Sequence, residues 1–394
     1  MRKIAAHYIY PINGDPVKYG VLTVDDNGTI LELSQSNDNL QETASVEFYN
    51  GIIVPGFVNA HCHLELSHMK GFLPQGGGMG AFCEGITQNR NNYTIEEQQQ
   101  FMANVDKQMY NEGVVAVGDI SNRSTSFKVK QKSPVYYHTF VECLGLDTDK
   151  TDSILNYAKA LKTEAEELGL SASITPHAPY SMSEKLFAES VRLACEDGIL
   201  SIHNQESRDE MELFAKGTSN LRVVFEKAGF KFDEAILNYK NPIARILKYV
   251  DKTTHLLLIH NVYTTEEDVE FVTTMNQNTT FVLCPNSNLY IEDILPPVNT
   301  FYNNKVNIAI GTDSLSSNIN ISILDELKTL NIHFPQISLN DLLCWATLGG
   351  AKALMKDTEL GSFDKGKCPG VVLIENVDFD NLQLTPLSHS TRLI

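Results

Sequence analysis

The sequence has little of what marks secreted, membrane-bound or nucleic-acid-binding proteins. Its seven cysteines (62, 83, 143, 195, 284, 344 and 368) are dispersed and contain no CxxC pair. Neither a disulfide framework nor a cysteine-built zinc knuckle is expected, and an odd, scattered set of thiols suits a reducing cytoplasm. Positive charge is scarce: 31 Lys and Arg face 49 Asp and Glu, a net charge of −18. That balance argues against a protein that grips a phosphate backbone through a basic face. No apolar run approaches the length of a membrane-crossing helix. The opening MRKIAAHYIYPING has a basic start, but its apolar stretch is short, broken by His7, and lacks a small-residue cleavage site, so no secretory leader is expected. What remains is a cytoplasmic protein with a small-molecule ligand, no nucleic acid and no membrane. A homodimer is the default expectation, since two-fold dimers are the commonest oligomers.

The chain is long, 394 residues, with 42% apolar and 20% charged residues, enough for a large core and a smaller module. Near the start, GVLTVDDNGTILELS has two apolar-rich runs around Asn27-Gly28, a hairpin signal. SVEFYNGIIVPGF reads as a further strand. Strand and helix patterns then alternate for nearly 300 residues, the mark of a βα-repeating fold. Eight strands can be counted: 53–63, 114–121, 135–144, 171–177, 199–206, 255–261, 279–286 and 306–314. Thr264 and Glu267 have capping-box spacing at one helix start. The longest departure, 207–250, reads as extra helices, placed to form a lid. The tail GSFDKGKCPGVVLIENVD returns to short strands. The expected fold is α/β: a (β/α)8 TIM-type barrel over 54–357, with a small composite β-sandwich domain built from 1–53 plus 358–394.

The run VPGFVNAHCHLELS at 54–67 carries the first chemical signal. His61 and His63 are two apart at a strand end, where residues i and i+2 share a face. Other ionisable residues fall at further strand ends: His177 after strand 4, His203 and Glu206 at strand 5, His260 at strand 6, Asp313 at strand 8. Barrel enzymes keep their reacting groups at such ends. A lone histidine there is more often structural, but a set of this size is hard to reach by chance. Three imidazoles and a carboxylate suit zinc or a similar first-row cation, iron included, with a position left for water.

HCH on the first strand, HNQE on the fifth, IH on the sixth and GTDS on the eighth resemble the amidohydrolase superfamily, in its branch of nucleoside and nucleobase deaminases and chlorohydrolases. The resemblance covers the whole chain; its tail differs in having Pro369-Gly370 where many relatives carry Ala-Asp. It implies that His61, His63, His203 and Asp313 hold a metal ion, that Asp313 takes a proton from water, and that His260 orients that water. The lysine that bridges two metals in other members is absent from SITPHAPYS, which implies one ion. The PCxxC signature of the unrelated zinc deaminases is also missing, and Cys62 should point away from the ligands.

Glu206 stands three residues after His203, positioned to protonate a ring nitrogen during attack on an amidine-like carbon. This HxxE spacing favours a deaminase. His177 is the expected substrate contact. Ser287 and Asn288 should shape the pocket, and Glu84, Arg90 and Glu142 are candidates for a ribose or a carboxylate. The leading expectation is hydrolytic deamination of an aminated purine nucleoside or related heterocycle. HCHLELS and AFCEGITQNR look most like aminofutalosine deaminases, with adenosine and S-adenosylhomocysteine types close behind. Alternatives are a hydrolase removing chloride or an alkylamine from a triazine-like ring, and a catalytically silent barrel that only binds.

Overall fold

The computed structural model describes residues 1–35 and 45–394. Its strands begin with β1 (Arg2–Ile9), β2 (Val17–Lys18), β3 (Val21–Val24), β4 (Ile30–Ser34), β5 (Glu47–Pro55), β6 (Phe57–Cys62) and β7 (Val114–Ser121). They continue with β8 (Tyr136–Cys143), β9 (Ser171–Pro176), β10 (Ile199–Asn204), β11 (His255–His260), β12 (Thr279–Leu283), β13 (Asn307–Ile310), β14 (Val371–Glu375) and β15 (His389–Arg392).

Both ends of the chain share one mixed sheet of seven strands, in the order β15-β14-β5-β1-β3-β4 with β2 paired to β1. The hairpin at Asn27-Gly28 is present. Gly28 takes φ +84°, and Asp25 Oδ1 accepts the amides of Asn27 and Thr29 at 2.8 Å. One face buries Ile4, Ile9, Leu22, Ile53 and Leu373 in a separate apolar cluster. Among the described residues this region is a single sheet, without the second layer that a sandwich requires.

The middle of the chain contains all eight expected strands. β6 to β9 form one parallel sheet and β10 to β13 another, each in sequential order. Their edges meet at two seams. At one, the His203 amide donates to the His177 carbonyl (3.0 Å). At the other, Cys62 and Asp313 form a parallel bridge, and the amides of Thr312 and Asp313 donate to the His61 carbonyl (3.0 and 3.1 Å). This is an α/β arrangement consistent with a TIM-type barrel. Val58, Ala60, Ala116, Phe140, Leu257, Val282 and Ala309 make one buried cluster, while Phe57, Val117, Val141 and Leu258 join the helices in a larger one.

Simple alternation along β6 would group His61 with Phe57 and Asn59, away from Val58 and Ala60. The register against β7 slips between Asn59 and Cys62. Such a bulge resets the alternation: Cys62 joins the outer cluster, as expected of it, and both histidines turn toward Asp313.

The 207–250 segment is helical: Arg208–Lys216, Asn220–Lys227, a 3-10 turn Glu234–Asn238, and Pro242–Tyr249. Its apolar residues Leu213, Phe214, Leu221, Phe232 and Ile236 cluster with Met79 of the helix Gly78–Asn89, and with Tyr180 and Ile291. Arg245, fully buried, ties this insertion to the loop after β9. It donates to the carbonyls of Pro179 and Met182 and stacks on Phe187, 4.3 Å from the ring centre. The capping box expected from Thr264 and Glu267 is shifted by one residue. Thr265 and Asp268 form it, because Thr264 Oγ1 donates instead to Gln205 Oε1 (2.6 Å).

Gly311 sits in the seam between β13 and β6. A Cβ there would stand 2.8 Å from His61 Cβ and 3.0 Å from Cys284 Sγ. Gly311→Ala is therefore expected to push β13 from β6 and to lower unfolding free energy by about 1–3 kcal/mol, read from the urea midpoint.

Candidate metal centre

Four strands deliver the cluster. β6 ends in His61 and His63, β10 in His203, β11 in His260, and the turn after β13 brings Asp313. His63 Nε2 lies 3.2 Å from His61 Nε2 and 3.3 Å from His203 Nε2. Asp313 Oδ1 is 3.6 Å from His63 Nε2 and 3.9 Å from His61 Nε2. His260 and Asp313 take φ +73° and +56°, left-handed values uncommon for residues other than glycine. Strain of this kind persists where the surroundings impose it, and at both positions it re-aims a side chain at a strand end.

The hydrogen bonds around the cluster fix which atoms are free. The His203 Nδ1–H donates to the His177 carbonyl (2.8 Å), which leaves the Nε2 lone pair facing His63. Ser287 and Ser317 both donate to Asp313 Oδ2 (2.6 and 2.7 Å), leaving Oδ1 toward the histidines. Asn288 contacts His260 Nδ1 (3.0 Å), and His260 Nε2 is buried without a hydrogen-bond partner, 3.3 Å from Glu206 Oε1.

Electrostatics divide the groups. Burial, followed by the neighbouring imidazoles, holds His61 well below its usual pKa, and burial moves His177 to about 3 and His260 to about 4. All are neutral at pH 7 and have lone pairs to offer. Burial pushes the Asp313 carboxyl up, but His63, His260 and the two serine hydroxyls outweigh it and hold it below the usual range. Glu206 goes the other way: burial first, then the charges of Asp313, Glu210 and Glu292, raise it well above an ordinary carboxyl. The two carboxyl groups of the pocket are thus shifted in opposite directions.

Residues 52–390 match the amidohydrolase family. The chain belongs to that family. An adenosine deaminase of Helicobacter pylori is 30% identical over 315 residues, 78% of this chain and 75% of its own. The crystal structure of Helicobacter pylori aminofutalosine deaminase with methylthio-coformycin superposes with a TM-score of 0.81, at 24% identity, over 98% of this chain and 94% of that one. An adenosine deaminase from Xanthomonas campestris, solved with bound zinc, gives a TM-score of 0.71 at 21% identity, over 98% and 86%.

Amidohydrolases are metal-dependent, and the donor set here fits an ion. Tetrahedral ligands at the usual Zn–N distance of about 2.0–2.1 Å stand roughly 3.3–3.4 Å apart. The Nε2 separations of 3.2 and 3.3 Å are close to that spacing. Lone pairs turned on one another at such range repel unless a proton or a cation lies between them.

Other expected residues separate. His177 follows β9 with Nδ1 at 2.7 Å from Ser181 Oγ, its ring centre 4.7 Å from that of His203. Glu142 is buried beside them, 3.9 Å from His203 Nδ1; Asn122 donates to its Oε2 (2.8 Å), while Oε1 has no partner. Glu84 is exposed on its helix and accepts from Gln88 (3.2 Å), away from the cluster. Sequence reasoning missed Ser317, though the run DSLSSN offered a hydroxyl-rich signal. It also missed Asp119 and Lys130, a fully buried pair 2.6 Å apart. Asp119 Oδ1 accepts the Leu64 amide (2.7 Å) and so holds the turn leaving His63. Lys130→Met would strand this carboxylate, and a loss of about 3–5 kcal/mol is expected in chemical denaturation.

Proposed function

We propose that this amidohydrolase is a mononuclear, zinc-dependent hydrolytic deaminase of an adenine-type nucleoside, releasing ammonia from the amino-bearing ring carbon. The relatives named above support the reaction class. The observation that carries the reading is Glu206, a buried carboxyl raised well above its usual pKa, 3.3 Å from His260 Nε2. An amide hydrolase has no need of a protonated acid there; a deaminase needs one to protonate the ring nitrogen.

In this reading His61, His63, His203 and Asp313 hold the ion, within a barrel over 54–357 beside a small domain of 1–53 plus 358–394. A divalent ion there supplies Lewis acidity that lowers the pKa of water from 15.7 to about 7. Asp313, kept ionised by its imidazole and serine neighbours, accepts the attacking water's proton at Oδ1. His260, fixed by Asn288, orients that water with Nε2. Glu206 delivers its proton to the ring nitrogen next to the carbon under attack; the proton held by Asp313 then passes to the amino group, which leaves as ammonia, while the new hydroxyl returns a proton to Glu206 as it becomes the ring carbonyl. His177, neutral and beside His203, contacts the substrate ring. The dispersed thiols support a cytoplasmic setting.

Elemental analysis of purified protein is expected to find one zinc per chain, and His63→Ala to weaken zinc uptake more than tenfold in a chelator competition. Recovery of metal-free protein with full turnover would overturn the centre. Glu206→Gln should retain zinc and lose ammonia release from adenosine by about 10²-fold or more. Unchanged ammonia release would remove Glu206 from the reaction.

A further inference from the structure

The chain turns sharply between β10 and the helix Arg208–Lys216. Gln205 takes φ +47°, a left-handed value, and Glu206 is the next residue. Gln205 is held from outside the helix. Its side chain accepts from Thr264 Oγ1 (2.6 Å) and donates to Asp268 Oδ2 (3.1 Å), and its carbonyl accepts the Tyr263 amide (3.0 Å). Glu206 is held from inside it. Its amide donates to Oε2 of Glu210 (2.8 Å), in the first turn of the helix. From this anchored backbone the Glu206 side chain reaches to 3.3 Å from His260 Nε2.

Glu210 is more than a helix cap. Ser207 already caps the helix, its Oγ accepting the Glu210 amide (3.2 Å). The Glu210 side chain is fully buried, and its second oxygen, Oε1, has no hydrogen-bond partner. Only the amides of Glu206 and Gln205 oppose the effect of burial, which raises the carboxyl to about 8. A glutamine would accept the same amide through its own side-chain oxygen, without an acid being buried. What a glutamine cannot do is ionise, and an ionised Glu210 sets a negative charge beside Glu206.

We infer that Glu210 is a positioning residue for Glu206: it fixes the backbone from which the acid projects and stands a second carboxyl behind the proton that the acid delivers. The inference rests on the deaminase reading and assigns the group through which that acid is tuned. Other elements also face Glu206: His260 from the end of β11, Asp313 from the turn after β13, Glu292 from the helix Pro285–Glu292, Cys83 from the helix Gly78–Asn89, Tyr180 from the loop after β9, and Cys284 after β12. Burial pushes both thiols and the phenol up and His260 down to about 4, so these four are uncharged at neutral pH. Of the carboxyl groups around Glu206, Glu210 is the one bonded to its backbone.

The test is the pH profile of ammonia release from adenosine by the zinc-loaded full chain. Glu210 gains its charge as pH rises through about 8, and that charge opposes ionisation of Glu206. Glu210→Gln keeps the size and the amide acceptor and removes the charge. The acid then loses its proton at lower pH, so the alkaline limb of kcat should move down by about one unit. The ratio of kcat at pH 9 to kcat at pH 6.5 is expected to fall about fivefold or more below wild type, with zinc content unchanged. An alkaline limb within about 0.2 units of wild type would overturn the inference. Loss of zinc from Glu210→Gln would overturn it too, by making Glu210 a general structural support. If wild type releases no ammonia, the deaminase reading falls. Carbon NMR of protein labelled with δ-13C glutamate then decides, with Glu206 assigned by its loss in Glu206→Gln. Its titration midpoint should lie about one unit lower in Glu210→Gln, and an unmoved midpoint sinks the inference.

Discussion

The seam between the last barrel strand and the first is the contact on which the rest depends. Two successive amides, Thr312 and Asp313, converge on one carbonyl, that of His61. The bond joins the ends of the βα-repeating segment, and it sets Asp313 against the histidine pair. Gly311 allows the approach because it has no side chain to place there. Every later feature of the centre is tuned from this point: Ser287 and Ser317 orient the Asp313 carboxylate, and Asp119 with Lys130 pins the turn on the other side of His63.

The pocket then shifts two carboxyl groups in opposite directions. Asp313 has hydroxyl donors and imidazoles around it and stays ionised. Glu206 has only burial and like charges, which push its carboxyl well above the usual range. The backbone amide of Glu206 goes to Glu210, which burial itself raises to about 8, so the acid side of the pocket is a run of carboxyls with little positive charge among them.

Much of this was legible in the sequence, for identifiable reasons. The eight strands are apolar, β-branched runs ended by turn residues, and their positions were found to within a few residues. The metal-type residues were legible because each stands at a strand end, where a βα fold collects its side chains. What escaped was tertiary. Period-two alternation places His61 on the wrong face of β6; only the slip against β7 corrects it, and a slip is set by the neighbouring strand. Lys130, in the helical run FKVKQK, is fully buried because its partner Asp119 lies eleven residues earlier on β7, a pairing that no local pattern marks. The capping box moved by one because Gln205 claimed the hydroxyl of Thr264. The Glu84 and Arg90 candidates were indistinguishable in sequence; the first faces solvent on its helix, and the second, just past the helix end, is half-buried.

The sheet shared by the two ends of the chain has a kinetic meaning. β5 runs into β6 with Gly56 alone between them, and its outer edge pairs with β14, Val371 against Pro55. The partner of an early strand is therefore delivered by the ribosome after the whole catalytic segment has emerged. Until then the β5 edge is a bare row of amides and carbonyls, attached to the strand that carries the histidine pair. Closing so long a loop is slow, and the nascent protein spends that interval with a sticky edge that needs shielding from other chains.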